Sequence, residues 1–125
     1  MTELKGALPV GPSSELLEGG HGLRFPVLAY GAATTGFVIR KGGVVYGYLN
    51  RCAHVPIELD WAQGEFFESS KLYIMCQTHG AIYVPETGQC AGGPCKGGRL
   101  RPIAVAEVDG RIVWMPDEVV SAPPQ

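Results

Sequence analysis

The fold of this chain is decided by two stretches, Asn50-Arg51-Cys52-Ala53-His54-Val55-Pro56 and Cys76-Gln77-Thr78-His79-Gly80-Ala81-Ile82-Tyr83. Each stretch contains one cysteine and one histidine, spaced Cys-x-His in the first and Cys-x-x-His in the second. These short spacings let both side chains of one loop reach the same small volume. The 21 residues between His54 and Cys76 leave room for a loop and a returning strand. Together the two stretches offer two thiolate sulfurs and two imidazole nitrogens to a single metal centre.

Spacing alone leaves three interpretations of these residues open. Two cysteines and two histidines can bind a [2Fe–2S] cluster, with the cysteines on one iron and the histidines on the other. The same four ligands can bind a tetrahedral zinc ion that stabilises an interaction module. They can also be core cysteines and surface histidines that bind no metal. Structural zinc sites mostly begin with Cys-x-x-Cys, so a first pair of Cys-x-His favours iron over zinc.

The composition excludes several classes of protein. The chain has 125 residues, which fits one domain, and a formal net charge of −2, which does not fit a nucleic-acid-binding surface. No apolar run approaches the roughly 20 residues of a membrane-spanning helix. The segment Met1 to Val10 lacks the apolar core of a secretion signal, so we predict a cytoplasmic location. In a reducing compartment, cysteine and histidine at close spacing indicate metal binding before disulfide bonding.

Short apolar runs separated by glycine and proline predict an all-β chain with little helix. Gly42-Gly43, after Lys41, and Asp109-Gly110 are strong signals for tight hairpin turns, which join antiparallel neighbours. One domain is predicted over residues 23–116, between an irregular segment 1–22 and an irregular tail 117–125. The predicted strands are Leu23 to Ala29, Phe37 to Ile39, Val44 to Leu49, Leu72 to Met75, Ala81 to Val84, Pro102 to Val108 and Arg111 to Met115.

The two Cys/His stretches and the later Thr87-Gly88-Gln89-Cys90-Ala91-Gly92-Gly93-Pro94 closely resemble the sequences of Rieske [2Fe–2S] domains. The resemblance runs from about Phe37 to Trp114, and it includes the order of the motifs and the glycine after the second histidine. It implies an antiparallel β-sandwich that carries a smaller inserted cluster-binding subdomain, at about residues 50–95.

The resemblance also implies one [2Fe–2S] cluster per chain and a role for each ligand. Cys52 and Cys76 are expected to bind the buried iron, and His54 and His79 the outer iron, with their rings near solvent. Gly92-Gly93-Pro94 is expected to form the lid loop that family members place over the cluster, which makes Pro94 a predicted cluster-binding residue.

Departures from the family pattern predict the redox potential. Rieske proteins of respiratory cytochrome bc complexes carry an additional disulfide at the positions of Ile57 and Thr78, and a serine hydrogen-bond donor at the position of Ala81. Tyr83 occupies the position of a tyrosine that donates to a cysteine sulfur. Hydrogen bonds to sulfur raise the potential. With one of two donors missing, we predict a potential in the lower part of the Rieske range of about −150 to +300 mV.

The resemblance implies the function of a ferredoxin. Such a carrier accepts one electron from a flavin-dependent reductase and passes it to a terminal oxygenase or a related oxidoreductase. The chain has no room for an oxygenase catalytic domain, so we expect no turnover of an organic substrate by this chain alone. Three alternatives stay open: a small iron–sulfur subunit of a larger oxidoreductase complex, the zinc-stabilised interaction module, and a redox sensor in which the state of the cluster changes a binding surface.

Several residues near the site have weaker assignments. Cys90 and Cys95 flank the lid loop, and without a sign of export we predict free thiols there, with a loop disulfide or a redox switch as the alternatives. The lone His21 is predicted to be a solvated loop residue. We interpret the carboxylates between the two stretches as a solvated surface, or as an acidic docking patch for a basic partner. These carboxylates are Glu58, Asp60, Glu65 and Glu68.

Overall fold

A computed structural model describes residues 7–52, 58–60, 64–77, 80–95 and 97–123. Within these residues the chain is all-β apart from one 3-10 turn at Ser13–Glu15. No helix in the described ranges is long and apolar enough to cross a membrane. The strands are β1 (Leu8–Pro12), β2 (Leu23–Ala29), β3 (Ala32–Lys41), β4 (Val44–Leu49), β5 (Ile74–Met75), β6 (Ile82–Tyr83), β7 (Cys90–Gly92), β8 (Pro102–Val108), β9 (Arg111–Met115) and β10 (Val120–Ser121).

The strands form a seven-stranded sheet in the order β1-β9-β8-β4-β3-β2-β10 and a three-stranded sheet in the order β5-β6-β7. Every pair of neighbouring strands is antiparallel. The small sheet lies between β4 and β8 in sequence. This arrangement confirms the predicted antiparallel base with an inserted subdomain.

The large sheet curls so that its two ends face each other across one core. Three strands, β8, β4 and β3, lie between β9 and β2 in the sheet, yet the ring centroids of Phe25 on β2 and Trp114 on β9 are 5.1 Å apart. Gly36 permits this curvature, because a Cβ atom there would lie 2.6 Å from the Phe25 ring and 2.9 Å from Ile103 Cδ1. Packing between distant strands of one curled sheet produces the expected sandwich.

Strand β3 separates two hydrophobic cores because successive side chains point to opposite faces. Val38 packs into the core of the base, with Phe25 and Trp114. Phe37 and Ile39 face the other way, into a core shared with the small sheet. That second core also contains Cys52, Leu59, Phe66, Phe67, Ile74, Cys76, Ala81, Tyr83, Cys95 and Leu100.

Tight turns with two left-handed residues join the hairpins of the large sheet. Gly42-Gly43 has φ angles of 63° and 79°, and Asp109-Gly110 has 50° and 77°. Such turns match the right-handed twist of the strands they connect. Both turns were predicted. The turn between β2 and β3 uses Tyr30-Gly31, with φ of 53° at the tyrosine, and this dipeptide is not a comparable turn signal.

The two segments predicted to be irregular each contain a strand. Strand β1 pairs with β9, and β10 pairs with β2. The prediction of irregular structure at these positions was therefore wrong. The sequence Leu-Pro-Val-Gly-Pro of β1 has poor strand propensity, but proline is tolerated on an edge strand, where one side makes no ladder hydrogen bonds.

The segment between the two Cys/His loops is more buried than a surface loop. Leu59 and Phe66 are fully buried and Phe67 is 7% exposed. The Phe66 ring stacks on Phe37 with centroids 3.9 Å apart. This segment therefore contributes a hydrophobic support beneath the site.

Candidate metal centre

Two of the four predicted ligands lie in the described residues, and both are buried. Cys52 follows the end of β4 and is 2% exposed, and Cys76 directly follows β5 and is fully buried. Both belong to the same hydrophobic core. His54 and His79 lie outside the described residues. The described part of the chain holds no group of three or more metal-binding side chains.

Backbone hydrogen bonds close the second loop around Cys76. The Gly80 N–H donates to the Cys76 carbonyl over 2.8 Å, and the Cys76 N–H donates to the Ala81 carbonyl over 2.8 Å. Gly80 has a φ of 73°, a left-handed conformation that glycine adopts without steric cost. The Gln77 N–H donates to the Leu59 carbonyl over 2.9 Å, which ties this loop to the end of the first.

A buried polar cluster closes the first loop, which begins at Asn50 and ends at Asp60. Asn50 Nδ2 donates to Asp60 Oδ1 over 2.7 Å, and the Leu59 N–H donates to Asn50 Oδ1 over 2.8 Å. Asp60 Oδ2 accepts from the Gly64 N–H over 2.9 Å and lies 3.3 Å from Arg24 Nε. We name Asn50, Asp60 and Arg24 the loop clamp. No sequence motif indicates this cluster, and Asp60, which was predicted to lie on the surface, has a fully buried side chain.

Tyr83 lies beside the first cysteine. Its side chain is fully buried on β6, and its hydroxyl oxygen is 3.4 Å from Cys52 Sγ. A phenol can donate a hydrogen bond, and a metal-bound thiolate can only accept one. The distance fits the predicted donor role of Tyr83.

The predicted lid loop contacts the second Cys/His loop. Gly93 has a φ of 83°, and a Cβ atom there would lie 2.9 Å from the Gly80 carbonyl oxygen and 3.0 Å from Ala81 Cα. Only glycine allows this close approach of the two backbones. The neighbouring Pro94 is exposed.

Cys90 and Cys95 form a disulfide across the base of the lid loop, so the prediction of free thiols was wrong. Strand β7 leads into the lid and the chain returns at once, which brings the two Cα atoms to 5.6 Å, within the usual range for a disulfide. The prediction rested on the cellular compartment and took no account of this local geometry.

The carboxylates between the two loops serve the structure. Glu58 pairs with Arg24 over 2.8 Å, and Glu65 lies 3.7 Å from His21, which is exposed as predicted. Glu68 accepts hydrogen bonds from the Ser70 hydroxyl and from backbone N–H groups of its own loop, which lower its pKa to about 2. Asp60 is buried and so cannot belong to the acidic docking patch considered from sequence, whereas the side chains of Glu58 and Glu65 are about half exposed and their part in such a patch stays a prediction.

The cysteine environment fits an iron–sulfur centre. Two buried cysteine side chains lie one at the start of each loop, as expected of the inner ligands, and the hydroxyl oxygen of Tyr83 is 3.4 Å from Sγ of one of them. Burial raises the free-energy cost of an unpaired thiolate, so buried thiolates at these positions are stable when bound to a metal.

Comparisons with known proteins agree with this chemistry. Residues 7–117 match the family model of the Rieske [2Fe–2S] domain. No curated protein sequence matched the chain. A solved structure of the ferredoxin of carbazole 1,9a-dioxygenase from Nocardioides aromaticivorans IC177 is 25% identical, with a TM-score of 0.70, and the alignment covers 90% of this chain and 100% of that one.

Two further structures are similar in fold. A chain from a complex of reduced oxygenase and oxidised ferredoxin in carbazole 1,9a-dioxygenase is 23% identical, with a TM-score of 0.66, covering 90% of this chain and 94% of that one. The terminal oxygenase from Novosphingobium sp. KA1 is 23% identical, with a TM-score of 0.64, covering 95% of this chain but 30% of that one. Because the family match spans both cysteine loops and nearly the whole chain, this chain belongs to the Rieske [2Fe–2S] domain family.

Proposed function

We propose that this chain is a one-electron carrier, a Rieske-type ferredoxin that binds one [2Fe–2S] cluster. The observation that carries the proposal is the pair of buried thiols of Cys52 and Cys76, with the Tyr83 hydroxyl 3.4 Å from Cys52 Sγ. The family match supports it, and so does the alignment with the full length of a ferredoxin chain.

Each predicted ligand has a separate task in this proposal. A [2Fe–2S] cluster supplies reversible one-electron transfer when it is bound. Cys52 and Cys76 would hold it from the hydrophobic core, and His54 and His79 would hold it from the outside. Tyr83 would stabilise negative charge on the Cys52 sulfur by donating a hydrogen bond.

The surrounding loops would keep this environment dry and rigid. The lid packs its Gly93 backbone against Gly80 and Ala81, and the disulfide between Cys90 and Cys95 closes its base. The loop clamp fixes the start and end of the first loop. A site whose ligands hardly move on gaining a charge transfers electrons with little rearrangement.

The partners in this proposal are a flavin-dependent reductase and a terminal oxygenase or related oxidoreductase. One similar structure is a complex between an oxygenase and a ferredoxin. In this proposal substrate turnover belongs to the oxygenase partner, and this chain supplies its electrons. We propose that the carrier works in the cytoplasm. Disulfides are rare in strongly reducing compartments, and this chain contains one between Cys90 and Cys95. Cell fractionation therefore tests the proposed location directly.

The test is the metal content and spectrum of the purified protein. We expect about two iron and two sulfide ions per chain, and an EPR signal after dithionite reduction with the low average g-value of mixed nitrogen and sulfur ligation. Cys52→Ser and Cys76→Ser should lose the cluster. The matched control is the double variant Cys90→Ser/Cys95→Ser, which removes cysteines from the same subdomain and should keep it. Colourless protein with one zinc per chain would overturn the proposal.

A further inference from the structure

A groove rich in arginine lies beside Cys52. Its volume is about 500 Å³, and it is open to solvent. It lies on the molecular surface between the Tyr30 turn, the end of β4 and the start of β8. We name it the arginine groove, and its lining residues are Tyr30, Leu49, Arg51, Cys52, Arg99 and Arg101.

The charges in the arginine groove are largely uncompensated. Arg51 and Arg99 are exposed and form no ion pair with any of the residues that the structure describes. Arg99 Nη2 donates to the Thr87 carbonyl over 3.0 Å, which fixes its guanidinium without neutralising it. Arg101 pairs with Asp117 over 2.7 Å. The groove is therefore positive on a chain whose formal net charge is −2.

One wall of the groove is an exposed aromatic side chain. Tyr30 is 63% exposed, and the Arg51 guanidinium carbon lies 5.6 Å from the centre of its ring. This cation–π contact orders the arginine that directly precedes Cys52. Exposed tyrosine and arginine are the residue types most enriched where protein interfaces concentrate their binding energy.

We propose that the arginine groove docks a carboxylate-rich surface segment of the protein that exchanges electrons with this chain. The inference rests on the proposed function. Guanidinium groups bind carboxylates through paired hydrogen bonds, and complementary charge accelerates encounter. Because Cys52 is part of the groove wall, a segment bound there brings the partner next to the proposed cluster. The net negative charge of the chain disfavours a nucleic acid as occupant.

The test measures binding of a fluorescein-labelled hexaglutamate peptide to the purified holoprotein by fluorescence anisotropy at low ionic strength. A labelled hexaglutamine peptide is the control ligand. Arg51→Gln and Arg99→Gln should each weaken binding about fivefold, since an exposed charge pair contributes up to ~1 kcal/mol and 1.4 kcal/mol corresponds to tenfold. Arg111→Gln removes an exposed arginine outside the groove and should leave the affinity unchanged.

Other outcomes would decide against the proposal. Wild-type affinity in all three variants, or the same loss of affinity in all three, would overturn it. Inorganic phosphate is added as a competitor at a concentration that supplies the same total negative charge as the peptide. If it displaces the peptide, the groove is a small-anion site instead of a protein-docking surface. The visible absorption of each sample separates this test from the proposed function. If the purified protein contains zinc and still binds the peptide, the proposed electron-carrier function is overturned, and the groove remains a binding site for acidic segments.

Discussion

At the scale of single residues, the hydroxyl of Tyr83 has a measurable consequence for the potential. Tyr83→Phe removes only the group that lies 3.4 Å from Cys52 Sγ. If that hydrogen bond is ~1 kcal/mol stronger in the more negative reduced state, the midpoint potential falls by ~40 mV, because tenfold in a one-electron equilibrium is 59 mV. Protein-film voltammetry measures it. Tyr46→Phe, which removes a hydroxyl on β4, is the control, and an unmoved midpoint in Tyr83→Phe would remove the donor role.

The loop clamp provides a second prediction at this scale. Asn50→Asp replaces the amide nitrogen that donates to Asp60 over 2.7 Å with a carboxylate oxygen, so two buried acceptors face each other. We expect the free energy of unfolding to fall by about 3 kcal/mol, as for other broken buried charge networks. Gln89→Glu makes the same chemical change at an exposed amide and should change the free energy of unfolding by less than about 0.5 kcal/mol. Urea denaturation compares the two, and similar losses would mean that the clamp is unimportant.

Residue roles were predictable from sequence only where a known motif carried them. The position of Tyr83 followed from the resemblance, and its distance to Cys52 fits that role. The partnership of Asn50 with Asp60 had no such signal. Their side chains meet because the first loop turns back on itself, and a carboxylate between two polar stretches looks the same in sequence whether it is solvated or buried.

At the scale of elements, the lid depends on a close approach of two backbones. Gly93→Ala places a Cβ atom 2.9 Å from the Gly80 carbonyl oxygen and also keeps a left-handed φ of 83°. Gly97→Ala is a matched control, because Gly97 has a φ of 79° and open space around its Cβ position. Both variants bear the cost of a left-handed alanine, about 1 kcal/mol, and the clash adds ~1–3 kcal/mol only in Gly93→Ala.

The measurement for the lid is the rate of cluster loss, followed by visible absorption in the presence of a chelator. Gly93→Ala should lose colour several times faster than Gly97→Ala, because its lid can no longer pack on the second loop. Equal rates in the two variants would show that backbone strain alone, and not lid contact, controls access to the centre.

Four strands were predicted with their observed bounds, whereas β3 spans Ala32–Lys41 and was predicted over Phe37 to Ile39 only, although the turn that follows it was predicted. The predicted bounds of Leu23 to Ala29, Val44 to Leu49, Pro102 to Val108 and Arg111 to Met115 match the observed strands. Local sequence determines such hairpins. The edge strands β1 and β10 were missed because their pairing with β9 and β2 comes from tertiary contact and not from their own residues.

At the scale of the whole molecule, one ion pair connects distant parts of the base. Arg40 on β3 binds Glu107 on β8 through two hydrogen bonds, of 3.0 and 2.8 Å, and its Nε donates to the Leu16 carbonyl over 2.8 Å. These contacts join the N-terminal segment to strands on both sides of β4. No local pattern in the sequence indicates them, since 67 residues separate the two charges.

This ion pair predicts how stability depends on pH. The hydrogen bonds from Arg40 lower the pKa of Glu107 from 4.5 to about 2. A carboxyl group whose pKa is depressed on folding stabilises the native state above its unfolded pKa, and this contribution is lost as the pH falls from about 5 to 2. Glu107→Gln should therefore be less stable than the wild type at pH 7, and the difference should vanish near pH 2. Glu118→Gln, at an exposed position, is the control. Thermal unfolding across this pH range measures the effect, and a difference that persisted unchanged at pH 2 would assign the stabilisation to packing of the side chain instead of its charge.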